Sequence, residues 1–235
     1  MYAEEALPFH PEIRKAHTKA VEFYTKTGTW FSGVERAQIL TELRHARGGN
    51  CELCRSRKEA LSPYATSGSH DQVTSLAEPV VEVIHRIVTD SGRLTEKWFR
   101  EITSGALSQE EYIEIVGLIA LAFVLDSFAV GVGEEQLNPT GKPEATEPTR
   151  EKNTQVIDGG AWVPLLDVEY KALISGIPEV PNIARAMGLV PRGLGEFFST
   201  MSAHYHLAEL SNTDLTRPQI ELVASRVSAC NDCFY

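Results

Sequence analysis

The stretch Ser108-Gln-Glu-Glu111, with the apolar run that follows it to Val130, constrains the fold more than any other part of this chain. The serine and the glutamate three residues on make a capping box, in which hydroxyl and carboxylate each satisfy a free backbone amide at a helix start. The residues after it are apolar on nearly every face, so this helix belongs at the centre of a bundle. Between Glu114 and Asp126 lie eleven uncharged residues, too few to cross a bilayer as a helix. We therefore read a buried core helix and expect no membrane partner.

Other segments punctuate the chain in the same way. Pro11 suits the first turn of a helix to Lys26 that carries Ile13, Ala16, Ala20 and Tyr24 on one face. Ser32-Gly-Val-Glu35 is another capping box, whose helix should run to about Arg47 and stop at Gly48-Gly49. Asn50 is placed to cap a helix that starts at Cys51. Pro79 opens a helix to about Thr89, and Thr95 caps a short one holding Trp98 and Phe99. Helical patterns resume near Val168, Asn182 and Gly193, and Thr216-Arg-Pro-Gln219 caps a last helix with Ile220, Leu222, Val223 and Val227. No segment shows sustained strand alternation, so the expected class is all-α. Residues 134–160, rich in Glu, Thr, Pro, Gly and Asn, read as a linker or surface excursion between units at 1–133 and 161–235.

A net charge of −10 without a Lys/Arg stripe argues against nucleic acid as a partner. The first thirty residues contain no apolar signal core, so a reducing cytoplasm is expected. In that setting Cys-x-x-Cys points to reactive or metal-binding thiols more often than to a structural staple. All four cysteines fall in such pairs, Cys51-Glu-Leu-Cys54 and Cys230-Asn-Asp-Cys233. Each pair has a glutamate nine residues before its first cysteine, Glu42 and Glu221. The lead-in Ala37-Gln-Ile-Leu-Thr-Glu-Leu-Arg44 echoes Pro218-Gln-Ile-Glu-Leu-Val-Ala-Ser-Arg226, so two pseudo-repeated helical units packed together are expected.

Redox chemistry and metal binding compete for these thiols, beside the blander reading that they are merely packed. A thiol attacks as thiolate, so it needs a pKa below about 8.5. Cys51 at a helix start would gain about 0.3–1 kcal/mol for its anion from the helix dipole. Arg55, Arg57 and Lys58 add positive charge, Cys54 lies one turn on to trap an oxidised sulfur, and His45 or Glu42 could relay protons. A zinc site would need all four cysteines at about 2.3 Å from one ion; we expect no metal and no cofactor. Glu221, between Ile220 and Leu222, reads as a buried acid or base with a raised pKa. Asp126 reads as a helix end facing water, His85 as core or interface packing, His70-Asp71 as a turn, and His204 and His206 have no assigned role.

The run Leu215-Thr-Arg-Pro-Gln-Ile-Glu-Leu-Val-Ala-Ser-Arg-Val-Ser-Ala-Cys-Asn-Asp-Cys-Phe-Tyr235 resembles the active-site helix of the alkylhydroperoxidase AhpD-like and carboxymuconolactone decarboxylase-like family. That family's pattern is a glutamate, eleven residues, Cys-x-x-Cys and a histidine four residues on. Glu221 and Cys233 fit its glutamate and first cysteine. Ile183-Ala-Arg-Ala-Met-Gly-Leu-Val-Pro191 resembles the family's lead-in, and Glu114 to Gly131 its following helix. In this register the second cysteine falls one position past Tyr235. The second motif is thus expected to be truncated, by the gene model or by a selenocysteine codon read as a stop. The repeat register instead makes Cys230 and Cys233 the second pair. In the first unit the cysteines are intact, but Lys58 stands at the histidine position and Ile39 at the glutamate position. The resemblance implies an AhpD-like helical bundle that self-associates, with Phe99 and Phe197-Phe198 as candidate contact regions. It implies a thiol-dependent peroxidase or disulfide-exchange protein that meets a hydroperoxide and an external dithiol reductant. The competing expectation is a non-catalytic helical scaffold with a degenerate site.

Overall fold

The computed structural model describes residues 9–167, 180, 182–204 and 215–230. Cys233, His206 and the pattern near Val168 lie outside the described residues.

The class is all-α. Helix α1 (Pro11–Glu22) begins with its proline, and α2 (Gly33–Arg47) begins at Ser32, where both halves of the capping box with Glu35 form. Gly49, at φ +74°, supplies the left-handed turn that lets the chain leave α2. Helix α3 (Glu52–Glu59) starts one residue later than the sequence suggests, with Cys51 rather than Asn50 in the cap position. Helices α4 (Glu78–Asp90), α5 (Glu96–Thr103) and α6 (Gln109–Val132) follow at the expected places. Thr95 caps α5, and the Ser108–Glu111 box forms in full at the start of α6. After a short hairpin come α7 (Asn182–Met187), α8 (Pro191–His204) and α9 (Arg217–Cys230).

The 24-residue α6 is the central element, with buried residues on every face, Ile115, Leu118, Leu121, Ala122 and Leu125 among them. Its length and composition would suffice to cross a membrane; here half of that stretch is buried, and it packs against α2, α4 and α8. Helix α2 packs on α4 and α6, and α8 covers α6 and α1. Phe99 and Phe197 are both buried within this chain, so neither offers the apolar surface for self-association expected of them.

Two polar networks pin the helices around α6. Arg36 of α2 is 1% exposed and reaches Glu114 of α6 at 3.7 Å and Glu196 of α8 in closer contact. The Trp30 amide donates to Glu114 at 2.8 Å, and Arg36 Nη1 donates to the Lys26 carbonyl at 3.1 Å. Arg44 forms a forked pair with Asp126, donating from Nε at 3.0 Å and from Nη2 at 2.7 Å. Asp126 is therefore fully buried and paired, not a helix end in water. A buried carboxylate is tolerable only with such partners.

Residues 134–160 are an excursion fastened to the α1–α2 corner. Glu144 accepts from the Thr27 amide and from Lys26 Nζ, both at 2.9 Å, and its own amide donates to the Thr25 carbonyl at 2.8 Å. The Thr140 and Gly141 amides donate to the Glu22 carboxylate at 2.8 and 3.0 Å. The sequence suggests no strand, yet β1 (Val156–Ile157) pairs antiparallel with β2 (Leu165–Leu166), Val156 opposite Leu166. Two residues are too few to display alternation.

Candidate functional site

Four segments converge beside the first cysteine pair. Helix α3 contributes Cys51 and Cys54, one turn apart at its first turn. The irregular segment between α3 and α4 brings His70 and Asp71. One face of α4 presents Glu82 and His85, three residues apart, while Val80, Val81, Val83 and Ile84 anchor that helix in the core. Helix α2 supplies Glu42 from behind. The ligating atoms of Cys51, Cys54, His70 and His85 all lie within 4.8 Å of one another.

His70 sits between the sulfurs, its Nδ1 3.4 Å from Cys51 Sγ and 3.6 Å from Cys54 Sγ. Its Nε2 lies 2.7 Å from a Glu82 carboxylate oxygen. Burial works against charging this imidazole. The Cys54, Glu82 and Cys51 contacts outweigh it and push the pKa up to about 10. One ring nitrogen of His70 thus rests on Glu82 and the other is aimed at the two sulfurs. Burial likewise opposes ionisation of Glu82, but hydrogen bonds from His70, Arg57 and Arg86 hold it well below the usual carboxylate range.

His85 is arranged differently. Its Nε2 is 3.0 Å from Glu42 Oε1, and its Nδ1 is 3.3 Å from Cys54 Sγ. Burial lowers its pKa despite the Glu42 carboxylate, so it is neutral at neutral pH. Glu42 can only accept, which assigns the ring proton to Nε2 and turns the Nδ1 lone pair toward Cys54. Glu42 also accepts from Thr74 Oγ1 at 2.7 Å and from the Val73 amide at 3.1 Å. Burial raises the Glu42 pKa, and these hydrogen bonds, His85 first, bring it below its ordinary value.

Cys51 is fully enclosed. Burial disfavours its thiolate, but the Asp71 and Cys54 amides, then His70 and Cys54, stabilise the anion enough to lower its pKa. As cap of α3 its sulfur takes no capping hydrogen bond of full geometry from the helix amides, so the Cys54 amide acts on the sulfur electrostatically. The Glu52 amide is taken instead by Asp71 Oδ2 at 2.8 Å. Both cysteines are free thiols. Cys54 lines a cleft of about 490 Å³ with Arg47, Arg55, Lys58, Val88 and Phe123, which gives it the path to solvent that Cys51 lacks.

The expected site residues therefore separate. Cys51, Cys54 and Glu42 come together. His45 stands aside, its ring 6.3 Å from that of His85 and its Nε2 without a hydrogen-bond partner among the described residues. Glu221 is not buried: it lies on α9, which buries none of its residues, and pairs with Arg217. Cys230 is exposed, and Cys233 lies outside the described residues. His70, Asp71, Glu82 and His85 join the site although no local sequence pattern assigns them to it. The available signal was two histidines within the thirty-five residues that follow Cys51, the second of them three residues after a glutamate. Comparison with protein-family models, with curated proteins and with solved structures finds no match for this chain.

Proposed function

We propose that the chain is a thiol-dependent peroxidase or disulfide-exchange protein working through Cys51 and Cys54, in a reducing cytoplasm. The observation that carries this reading is the unequal environment of the two sulfurs: His70 Nδ1 lies beside both, and His85 Nδ1 is aimed at Cys54 alone. A hydroperoxide enters by the cleft and meets Cys54. His85 takes the Cys54 thiol proton through Nδ1 as the sulfur attacks the outer oxygen. The O–O bond breaks, the leaving alkoxide takes that proton from His85 and departs as the alcohol, and Cys54 becomes a sulfenic acid. The Cys51 thiolate then attacks the Cys54 sulfur, the disulfide forms and water departs. The balance is two thiols and one hydroperoxide to one disulfide, one alcohol and one water. An external dithiol restores the thiols by exchange.

The resemblance to AhpD-like proteins agrees with this reading while the residues differ. Fully buried Ile39 and exposed Lys58 occupy the family positions of glutamate and histidine in the first unit. Glu42, His70 and His85 supply a carboxylate and imidazoles from elsewhere. The two-unit bundle and the homo-oligomer belong to the same proposal. Exposed Leu222, Val223 and Val227 of α9, rather than the buried phenylalanines, are the apolar residues that self-association would cover. The test is consumption of cumene hydroperoxide by reduced, chelator-treated protein with dithiothreitol as reductant. Cys54→Ser should abolish turnover, while Cys51→Ser should leave a Cys54 sulfenic acid that dimedone traps. Wild-type turnover no faster than that of the double Cys→Ser variant would refute the reading and favour a helical scaffold.

A further inference from the structure

We infer that the reduced protein holds one thiophilic divalent cation of the zinc class, bound by Cys51 Sγ, Cys54 Sγ, His70 Nδ1 and His85 Nδ1. The inference uses the same side chains as the redox reading and does not depend on it. Zinc bonds of about 2.3 Å to sulfur and 2.0–2.1 Å to nitrogen at tetrahedral angles set sulfur and nitrogen about 3.5 Å apart. The contacts here are 3.4, 3.6 and 3.3 Å. Each ring turns Nδ1 inward and rests Nε2 on a carboxylate, His70 on Glu82 at 2.7 Å and His85 on Glu42 at 3.0 Å. Such carboxylates orient a ligating imidazole and raise its basicity. Packing alone has no reason to place two separate His–carboxylate pairs about two cysteines.

The charges also close. Two thiolates and two neutral imidazoles neutralise a dication, which suits a buried site better than bare thiolates. Four protein ligands leave no open position, so the ion is of the structural kind rather than one that activates water. It would tie the irregular segment carrying His70 to α3 and α4, closing that loop between its two helices. This departs from the sequence expectation of no metal, and from the four-cysteine set that a zinc site would have needed: Cys230 is exposed and takes no part.

Cobalt(II) is the probe. Added to reduced, chelator-treated protein, it should give the sulfur-to-cobalt charge-transfer band and the intense visible bands of a tetrahedral site, saturating at about one per chain and displaced by zinc. Cys51→Ser/Cys54→Ser should lose the charge-transfer band, and Cys230→Ser/Cys233→Ser should keep it. Glu82→Gln leaves all four ligands in place and should weaken zinc about 10–100-fold. His70→Asn, outside any helix, tests the ligand set if the cysteine variants do not fold. Absence of the band in wild-type protein, its survival in Cys51→Ser/Cys54→Ser, or its loss in Cys230→Ser/Cys233→Ser would overturn the inference. Peroxide consumption is measured on metal-free protein, so either proposal can fail while the other stands.

Discussion

Replacing Glu42 by alanine removes the acceptor of three hydrogen bonds at once. The bond from His85 Nε2 is wholly buried, with both side chains 0% exposed. Leaving that N–H unpaired costs about 1–3 kcal/mol. Thr74 and Val73 lie nearer solvent and regain water, so their bonds add only about 0.5–1 kcal/mol together. Relief from burying the carboxylate offsets part of this. The net loss should be about 2–3 kcal/mol, lowering the melting temperature by roughly 4–12 °C for a chain of this length. Thermal unfolding followed by far-UV circular dichroism measures it, with Glu42→Gln alongside. Glutamine still offers His85 an oxygen and should recover about half of the loss. The acid limb supplies an internal check. The folded pKa of Glu42 lies below its ordinary 4.5. Its contribution is therefore present above pH 4.5 and lost as pH falls through the folded value. Alanine should flatten that limb. An alanine variant within about 0.5 kcal/mol of wild type at neutral pH, with an unchanged acid limb, would refute the claim that Glu42 holds His85 in place.

Two further perturbations reach the fold away from the cysteines. Arg36→Met would leave the Glu114 and Glu196 carboxylates buried without their shared cation, and should cost about 3–5 kcal/mol by denaturant titration; a loss below about 1 kcal/mol would contradict the network. His17 of α1 and His204 of α8 face each other at 2.5 Å beside Phe128. Burial, then the charge of His204, lowers the His17 pKa from 6.5 to about 4. Between those values the unfolded chain binds a proton that the folded chain refuses, so stability should fall as pH drops from 6.5 toward 4. His17→Phe should reduce that slope in urea titrations across the window, and an unchanged slope would exclude the pair as its source.

What the sequence disclosed was local. Ser32 with Glu35, Ser108 with Glu111, and Thr95 are read within one turn, and all three cap where expected. Cys51 and Cys54 are also a local pair, legible as reactive or metal-binding thiols. Their partners are not local. His70 comes from an irregular segment and His85 from the next helix, and only the packing of α2, α3 and α4 brings them together. The neighbours of His85, Ile84 and Ile87, made it look like a core residue, and it is buried; what periodicity omitted was Cys54 on one ring nitrogen and Glu42 on the other. Asp126 was misread because its partner, Arg44, lies 82 residues away. Glu221 was misread because an apolar pattern on α9 implied a covering surface that the described residues do not provide.

The proposed chemistry requires that Cys51 and Cys54 trap each other. One equivalent of hydroperoxide added to reduced, metal-free protein, followed by alkylation and peptide mass spectrometry, reads this out directly. A Cys51–Cys54 disulfide should be the main product, reversed by dithiothreitol. Two alkylated thiols at these positions, or oxidation confined to Cys230 and Cys233, would contradict it.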